Sequence, residues 1–375
     1  MERTYKKYIL KDLKKKLVFL TGPRQVGKTW LARNISELYN SHVYLNYDNL
    51  QDRQIISKQA WLDDVELLVL DELHKMDGWK NFIKGVFDTK PKGMQILVTG
   101  SARLEAFRQS GDSLAGRFYR HRLMPITPAE CCQVNNEDEG QLNDFMTYGG
   151  FPEPFLSKDT VEADRWRMQY IDGLIRTDIL DFEKIHDFNA IQLVLELLRS
   201  RIGSPLSYKS IAEDVGIAPN TVKKYVQVLE SLYIIFRIPP HSRNIARSIL
   251  KEPKVYFYDT GMVVGDEGIK FENMVAVSLL KHVYALNDYL GKPYQLNYLR
   301  TKDGYEVDFC LVNNNIPELM IEAKRTEDQP EKPLLYFHKR YNIRAMQLVL
   351  RLRQERKIGE IEIRGAKSFL KSLMI

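Results

Sequence analysis

Three short apolar runs, Leu17-Val18-Phe19-Leu20, Leu67-Leu68-Val69-Leu70 and Gln95-Ile96-Leu97-Val98-Thr99, break up the first hundred residues. Each is too short for a helix and too continuous for a strand with one wet face, so each predicts a strand buried on both sides. A fourth, more mixed run, His42 to Tyr47, predicts another strand between the first two. From Pro125 to about Ser200 such runs stop. Trp166, Met168, Tyr170, Ile171, Leu174 and Ile175, then Leu193, Val194, Leu197 and Leu198, recur at helical spacing and predict a helical connector or lid. After Ser204 the pattern reads helix, Gly216, helix, then strands at Tyr233 to Arg237 and Lys254 to Tyr258. After Gly261 a helix from Val275 to Tyr284 precedes strands at Gly304 to Phe309 and Leu319 to Lys324. The expected division is therefore 1–128, 129–203, 204–260 and 261–375. The expected class is α/β, with a parallel sheet first.

Composition narrows the classes. The 375 residues are 44% hydrophobic and 28% charged, which excludes a disordered or fibrous chain. Lys and Arg number 55 against 49 Asp and Glu, a mild excess that permits contact with nucleic acid without requiring it. Three cysteines, Cys131, Cys132 and Cys310, have neither disulfide-framework nor zinc spacing, so a reducing compartment is expected. Met1 to Lys16 has no apolar core of a leader, and no later run approaches the ~18 apolar residues of a membrane span. A cytoplasmic chain with no membrane segment is expected.

The first strand runs straight into Gly22-Pro23-Arg24-Gln25-Val26-Gly27-Lys28-Thr29, followed by Trp30 and an amphipathic helix. Strand, glycine loop and helix in this order form a Walker A phosphate loop. Its glycines let backbone N–H groups point at a phosphate, and the positive end of the helix supports the anion. Lys28 would reach the β- and γ-phosphates of ATP, and Thr29 would offer its hydroxyl to Mg²⁺. The strand Leu67 to Leu70 ends in Asp71-Glu72, a Walker B arrangement in which Asp71 serves the metal and Glu72 the attacking water. Thr99 or Ser101, at the end of a strand inserted between the two motifs, is either a water-orienting sensor or a polar strand exit. Arg117 is either an arginine finger for a neighbouring subunit or a surface arginine.

These motifs, with Thr99-Gly100-Ser101, Gly116-Arg117 before Leu123-Met124-Pro125, and Gly149-Gly150-Phe151-Pro152, resemble a family of prokaryotic AAA+ ATPases. Members of that family carry a C-terminal region of unknown function. The resemblance covers nearly the whole chain and implies an ASCE-type P-loop core, ATP hydrolysis and assembly into homo-oligomers. It implies no particular substrate.

Ser207 caps a helix that Gly216 ends, and Ala218-Pro219 opens a second; with the two strands after it this reads as a winged helix. Asn220, Thr221, Lys223 and Lys224 would stand at the groove of duplex or branched DNA, with Arg237, Arg243, Arg247 and Lys251 along the wing. The alternative is a winged helix used for protein packing. Arg176 and Asp178 form an ion pair or a nucleotide sensor. In the last quarter, Glu272 on a helix, Asp308 on a strand and Glu322-x-Lys324 on the next are similar in order to PD-(D/E)XK nuclease domains of restriction and repair enzymes. There Asp308 and Glu322 would share a divalent ion, Glu272 would reach the same ion, and Lys324 would align the water. Such folds also serve as binding modules. From Glu331 onward, eleven Lys or Arg stand against four acids, so the charge excess sits at the end of the chain. The expected function is an ATPase acting on or regulated by DNA with a Mg²⁺-dependent nuclease domain, or a nucleotide-dependent switch that binds and does not cut.

Overall fold

The computed structural model describes residues 2–100, 114–134, 141–175, 187–242, 252–326 and 329–375, with backbone only at 132–134 and 141. Ser101, Arg176, Asp178, Arg243, Arg247 and Lys251 lie outside the described residues. The chain forms two compact units, Met1–Met124 and Pro125–Ile375. The three segments expected after residue 128 thus fall within one unit.

The first unit holds strands β1 (Leu17–Thr21), β2 (His42–Asn46), β3 (Leu67–Asp71), β4 (Gln95–Thr99) and β5 (Phe118–Arg122), with helices α1 (Lys6–Leu13), α2 (Lys28–Ser36), α3 (Leu50–Lys58) and α4 (Trp79–Thr89). The sheet order is β2-β3-β4-β1-β5 and every pairing is parallel. As the sequence predicts, β4 lies between the strands that carry Walker A and Walker B. β1 and β3 are buried at all positions, which explains their unbroken apolar runs. Phe19 meets Trp79 and Phe118 edge to face at 5.8 and 5.0 Å. β5 has no counterpart among the predicted strands. Its sequence, Phe-Tyr-Arg-His-Arg, belongs to a half-exposed edge, where no apolar run is needed. Because all five strands are parallel, Thr21, Asn46, Asp71 and Thr99 finish along one edge of the sheet, where open α/β sheets place their ligands.

The second unit begins with helices α5 (Pro128–Val134), α6 (Gln141–Tyr148), α7 (Pro152–Ser157), α8 (Thr160–Gly173) and α9 (Phe188–Arg199). A tight turn joins α10 (Tyr208–Val215) to α11 (Pro219–Ser231), and β6 (Ile235–Ile238) pairs antiparallel with β7 (Lys254–Phe257). Then come α12 (Glu267–Leu290), β8 (Tyr294–Arg300), β9 (Glu306–Asn313), β10 (Ile316–Lys324), α13 (Lys332–Tyr341), β11 (Arg344–Val349), β12 (Arg356–Ile358), β13 (Ile361–Gly365) and α14 (Ala366–Ser372). The sheet order is β12-β13-β11-β10-β9-β8, with β8, β9 and β10 antiparallel and β11 parallel to β10. The helix predicted over 275–284 runs instead for 24 residues. Asp266 caps its start by accepting from the Ile269 N–H, Gly291 ends it, and its apolar residues lie on most sides because it is largely buried.

The Gly149-Gly150 turn is architectural. At Gly149, φ is +72° and a Cβ would fall 1.6 Å from Asp259 Oδ1; at Gly150 one would fall 2.3 Å from the Ile126 carbonyl. Asp259 is buried and receives the Arg167 guanidinium at 2.9 Å. Among the described residues no helix is long and apolar enough to cross a membrane.

Candidate functional site

The phosphate loop is fixed by conformations that only glycine tolerates well. Gly22 has φ +142°, and a Cβ there would lie 2.1 Å from the Leu123 carbonyl oxygen. Gly27, at φ +95°, is the residue before α2. Pro23 and Val26 are buried, Arg24 is half-buried, and Gln25, Thr29 and Trp30 face solvent. Lys28 is buried, and its Nζ donates to the carbonyls of Gly22 (3.0 Å) and Pro23 (2.5 Å). Burial lowers the Lys28 pKa to about 8, against the opposing pull of Glu72 and Asp71.

Asp71, buried at the end of β3, collects three hydroxyls. Thr29 Oγ1 donates to its Oδ2 at 2.8 Å, Tyr44 donates to the same oxygen, and Thr99 donates to Oδ1. Thr99 therefore faces the Walker B carboxylate rather than merely ending a strand. Glu72 follows in a left-handed conformation (φ +56°), its carboxylate 3.4 Å from Lys75 Nζ and 3.7 Å from His74 Nε2. Burial raises the Glu72 pKa, while Lys75 and Lys28 oppose the rise.

Two parts of this site carry no sequence signal. Arg3 is buried and its guanidinium donates to the carbonyls of Val26 (2.8 Å) and Met124 (2.6 Å), bracing the phosphate loop from the N-terminus. Tyr44 sits on the mixed run of β2, where the pattern marks a strand and says nothing of a hydroxyl aimed at Asp71. Arg117 is the reverse case. Its carbonyl accepts from the Leu17 N–H at the start of β1, and its guanidinium grips Asp88 at 2.8 and 3.1 Å. The register Leu17↔Phe118 to Thr21↔Arg122 puts it at the edge opposite the phosphate loop, one strand length or about 13 Å away. Arg117 is thus remote from the nucleotide site of its own chain.

In the second unit Ser207 caps α10 by accepting from the Ser210 N–H, and Gly216 turns the chain at φ +77° into α11. Asn220, Lys223 and Lys224 are exposed on the first turns of α11, and Thr221 is half-buried. Arg237, expected along the wing, is engaged by side chains of its own unit. It lies within β6, and its guanidinium is held by Glu230 (2.9 Å from Nε) and the Tyr208 hydroxyl (3.2 Å).

The acidic residues of the last quarter do converge. Ile321 pairs with Phe309 across β10 and β9, which sets Glu322 beside Asp308. The Asp308 N–H donates to Glu322 Oε2 (3.2 Å), and the Ala323 N–H donates to Asp308 Oδ2 (3.1 Å). Lys324 Nζ is 3.1 Å from Glu322 and 3.6 Å from Glu331. Glu272 enters from α12, and its Oε1 accepts from the Tyr256 hydroxyl at 2.7 Å. The sequence missed Lys254. Buried at the start of β7, it lies 2.8 Å from Glu306, 3.0 Å from Asp308 and 3.8 Å from Glu272. Burial alone would lower the Lys254 pKa, but Asp308, Glu272 and Glu306 together push it above that of a free lysine. Burial, reinforced by Asp308, raises both Glu272 and Glu322 above the usual carboxylate range. Among the described residues no three His, Cys, Asp or Glu side chains stand ready as a metal-ligating group. Each of the four acids in the basic last segment is paired with a cation: Glu331 with Lys324, Glu355 with Arg364, Glu360 with Lys357 and Glu362 with Arg344.

Residues 14–132 match the family model of an AAA domain. Residues 139–270 and 267–364 match two domains of unknown function, DUF8612 and DUF4143. Among curated proteins the chain is similar to the uncharacterized protein MJ1544 of Methanocaldococcus jannaschii, at 23% identity over 88% of this chain and 80% of that one. It is also similar to the uncharacterized protein Rv2008c of Mycobacterium tuberculosis, at 23% identity over 83% of this chain and 70% of that one. Among solved structures, a Walker-type ATPase of Pyrococcus abyssi aligns at TM-score 0.43 and 16% identity, over 68% of this chain and 93% of that one. RuvB of Thermotoga maritima aligns at TM-score 0.32 and 17% identity, over 63% and 88%. The family match over residues 14–132, the sheet order and the Lys28, Thr29 and Asp71 constellation together support a P-loop ATPase domain of the AAA type.

Proposed function

We propose that this chain binds and hydrolyses Mg²⁺-ATP at the Gly22 to Thr29 loop and uses that cycle to govern binding of DNA by its second unit. The observation that carries the first half is the joining of Thr29 to Asp71 beside a lysine that caps its own loop. Lys28 would leave the Gly22 and Pro23 carbonyls for the β- and γ-phosphates. The Thr29 hydroxyl and Asp71 carboxylate, 2.8 Å apart, are the hard oxygen donors that suit Mg²⁺. When bound, the ion supplies neutralisation of phosphate charge. Glu72, held near Lys75, would accept the proton of the attacking water, and Thr99 keeps Asp71 oriented.

Arg117 would serve the site of a second copy of the chain, because its place at the far edge of the sheet denies it its own. In the second unit, the exposed Asn220, Lys223 and Lys224 at the head of α11 are suited to a DNA groove and its phosphates. For the carboxylates around Asp308 we favour binding without cleavage over a Mg²⁺-dependent nuclease, because a buried lysine already stands among them.

Lys28→Ala is expected to abolish ATP turnover while leaving the melting transition in place, and normal turnover would sink the ATPase assignment. Incubation with DNA, ATP and Mg²⁺ or Mn²⁺ is expected to give ATP-responsive binding. Cutting that disappears in Asp308→Ala would establish the nuclease instead.

A further inference from the structure

Two of the three carboxylates that the sequence assigns to a divalent ion, Glu272 and Asp308, already have a cation beside them. Lys254 is 1% exposed, so its ammonium has been taken out of water almost completely. Such burial is tolerated only where opposite charge and hydrogen bonds replace the lost solvent. Glu306 at 2.8 Å, Asp308 at 3.0 Å and Glu272 at 3.8 Å supply that replacement. The second oxygens of Asp308 and Glu306 are also engaged, and the Glu272 oxygen nearest Lys254 carries a further bond. Asp308 Oδ2 accepts from Ala323, Glu306 faces Arg300 at 3.3 Å, and Glu272 accepts from Tyr256. Gly203 closes over Glu272 so tightly that a Cβ there would lie 2.5 Å from the carboxylate. Lys254 and Tyr256 are two apart on β7 and so reach the cluster from one face of the strand.

Mg²⁺ draws its oxygen ligands to about 2.0–2.1 Å, and an ammonium at hydrogen-bond distance from Glu306 and Asp308 excludes it there both by space and by charge. The position among Glu272, Glu306 and Asp308 therefore does not fit a divalent ion as folded. We infer that Lys254 is a tethered counter-ion: it holds the cation position among Glu272, Glu306 and Asp308, shuts that position to Mg²⁺ and Mn²⁺, and fastens β7 to the C-terminal sheet. The inference deepens the non-cleaving assignment proposed above, and it identifies the residue responsible.

The test is a Mn²⁺ titration of the full chain without nucleotide, with free Mn²⁺ followed by electron paramagnetic resonance. Asp71→Asn is carried throughout to silence the Walker site. This background is expected to show no Mn²⁺ site tighter than ~1 mM. Adding Lys254→Met is expected to create one site, tighter by on the order of a hundredfold, which Asp308→Asn then removes. Lys254→Arg, which keeps the charge, is expected to create none. A micromolar site already present with Lys254 intact and lost in Asp308→Asn would overturn the inference. So would a folded Lys254→Met protein that gains no Mn²⁺. If Lys254→Met does not fold, the comparison of the background with and without Asp308→Asn decides alone. DNA cutting by the unaltered protein would defeat the function proposed for the second unit, whereas the Mn²⁺ titration bears on Lys254 itself.

Discussion

Tyr44 donates its phenolic hydrogen to Oδ2 of Asp71, the oxygen that also accepts from Thr29. Burial, then the bond to Asp71, pushes the phenol up to about 12, so it stays a donor throughout the working pH range. A hydrogen bond to a charged partner contributes about 1.5–3 kcal/mol. Tyr44→Phe removes that bond and little volume. Denaturant titration is expected to show a loss of about 1.5 kcal/mol with an unchanged slope. A stability equal to that of the parent would show that the bond carries no weight.

Lys28 predicts the pH dependence of nucleotide binding. Burial sets its pKa at about 8, and bound phosphate, being anionic, would raise it. The stabilisation from the charged ammonium is then complete below the lower value and is lost as pH rises through the bound-state value. ATP binding is expected to take up a proton above pH 8 and to weaken there. Calorimetry in two buffers of different ionisation enthalpy measures that proton directly, and equal heats in both would contradict the role given to Lys28.

Arg117 and Lys28 sit at opposite edges of one sheet. If the arginine completes a neighbour's site, Arg117→Ala and Lys28→Ala are each inactive alone. Mixing them is expected to restore a fraction of the ATPase activity, since some assemblies pair an intact loop with an intact arginine. Absence of any recovery at concentrations where the chains associate would remove the finger role.

On the DNA side, exposed and engaged cations should part company. Lys223→Ala with Lys224→Ala is expected to weaken DNA binding and to reduce the slope of log affinity against log salt by about 2. Arg237→Ala is expected to lower thermal stability through the loss of Glu230 and Tyr208 while leaving that slope alone. The opposite pattern would place the DNA on β6 instead of α11.

The phosphate loop, Asp71, and the convergence of Asp308 with Glu322 were legible because each depends on local spacing: a glycine turn, a strand end, or two strands with alternating faces. Lys254 was not legible, because its partners lie 18, 52 and 54 residues further along the chain and only the folded sheet gathers them. Arg237 looked like other wing arginines until β6 placed it against Glu230. β5 was missed because an exposed edge strand needs no apolar pattern, and with it was missed the fact that Arg117 faces away from its own loop.

Arg3 ties the start of the first unit to its end. The carbonyls it holds belong to Val26 in the phosphate loop and to Met124, which is 121 residues from Arg3. During synthesis the bond to Met124 cannot form until that residue has left the ribosome, so the loop gains this brace only when the whole unit has been made. ATP in the cell would then favour finished units over nascent ones, acting as a ligand that selects for completed folding.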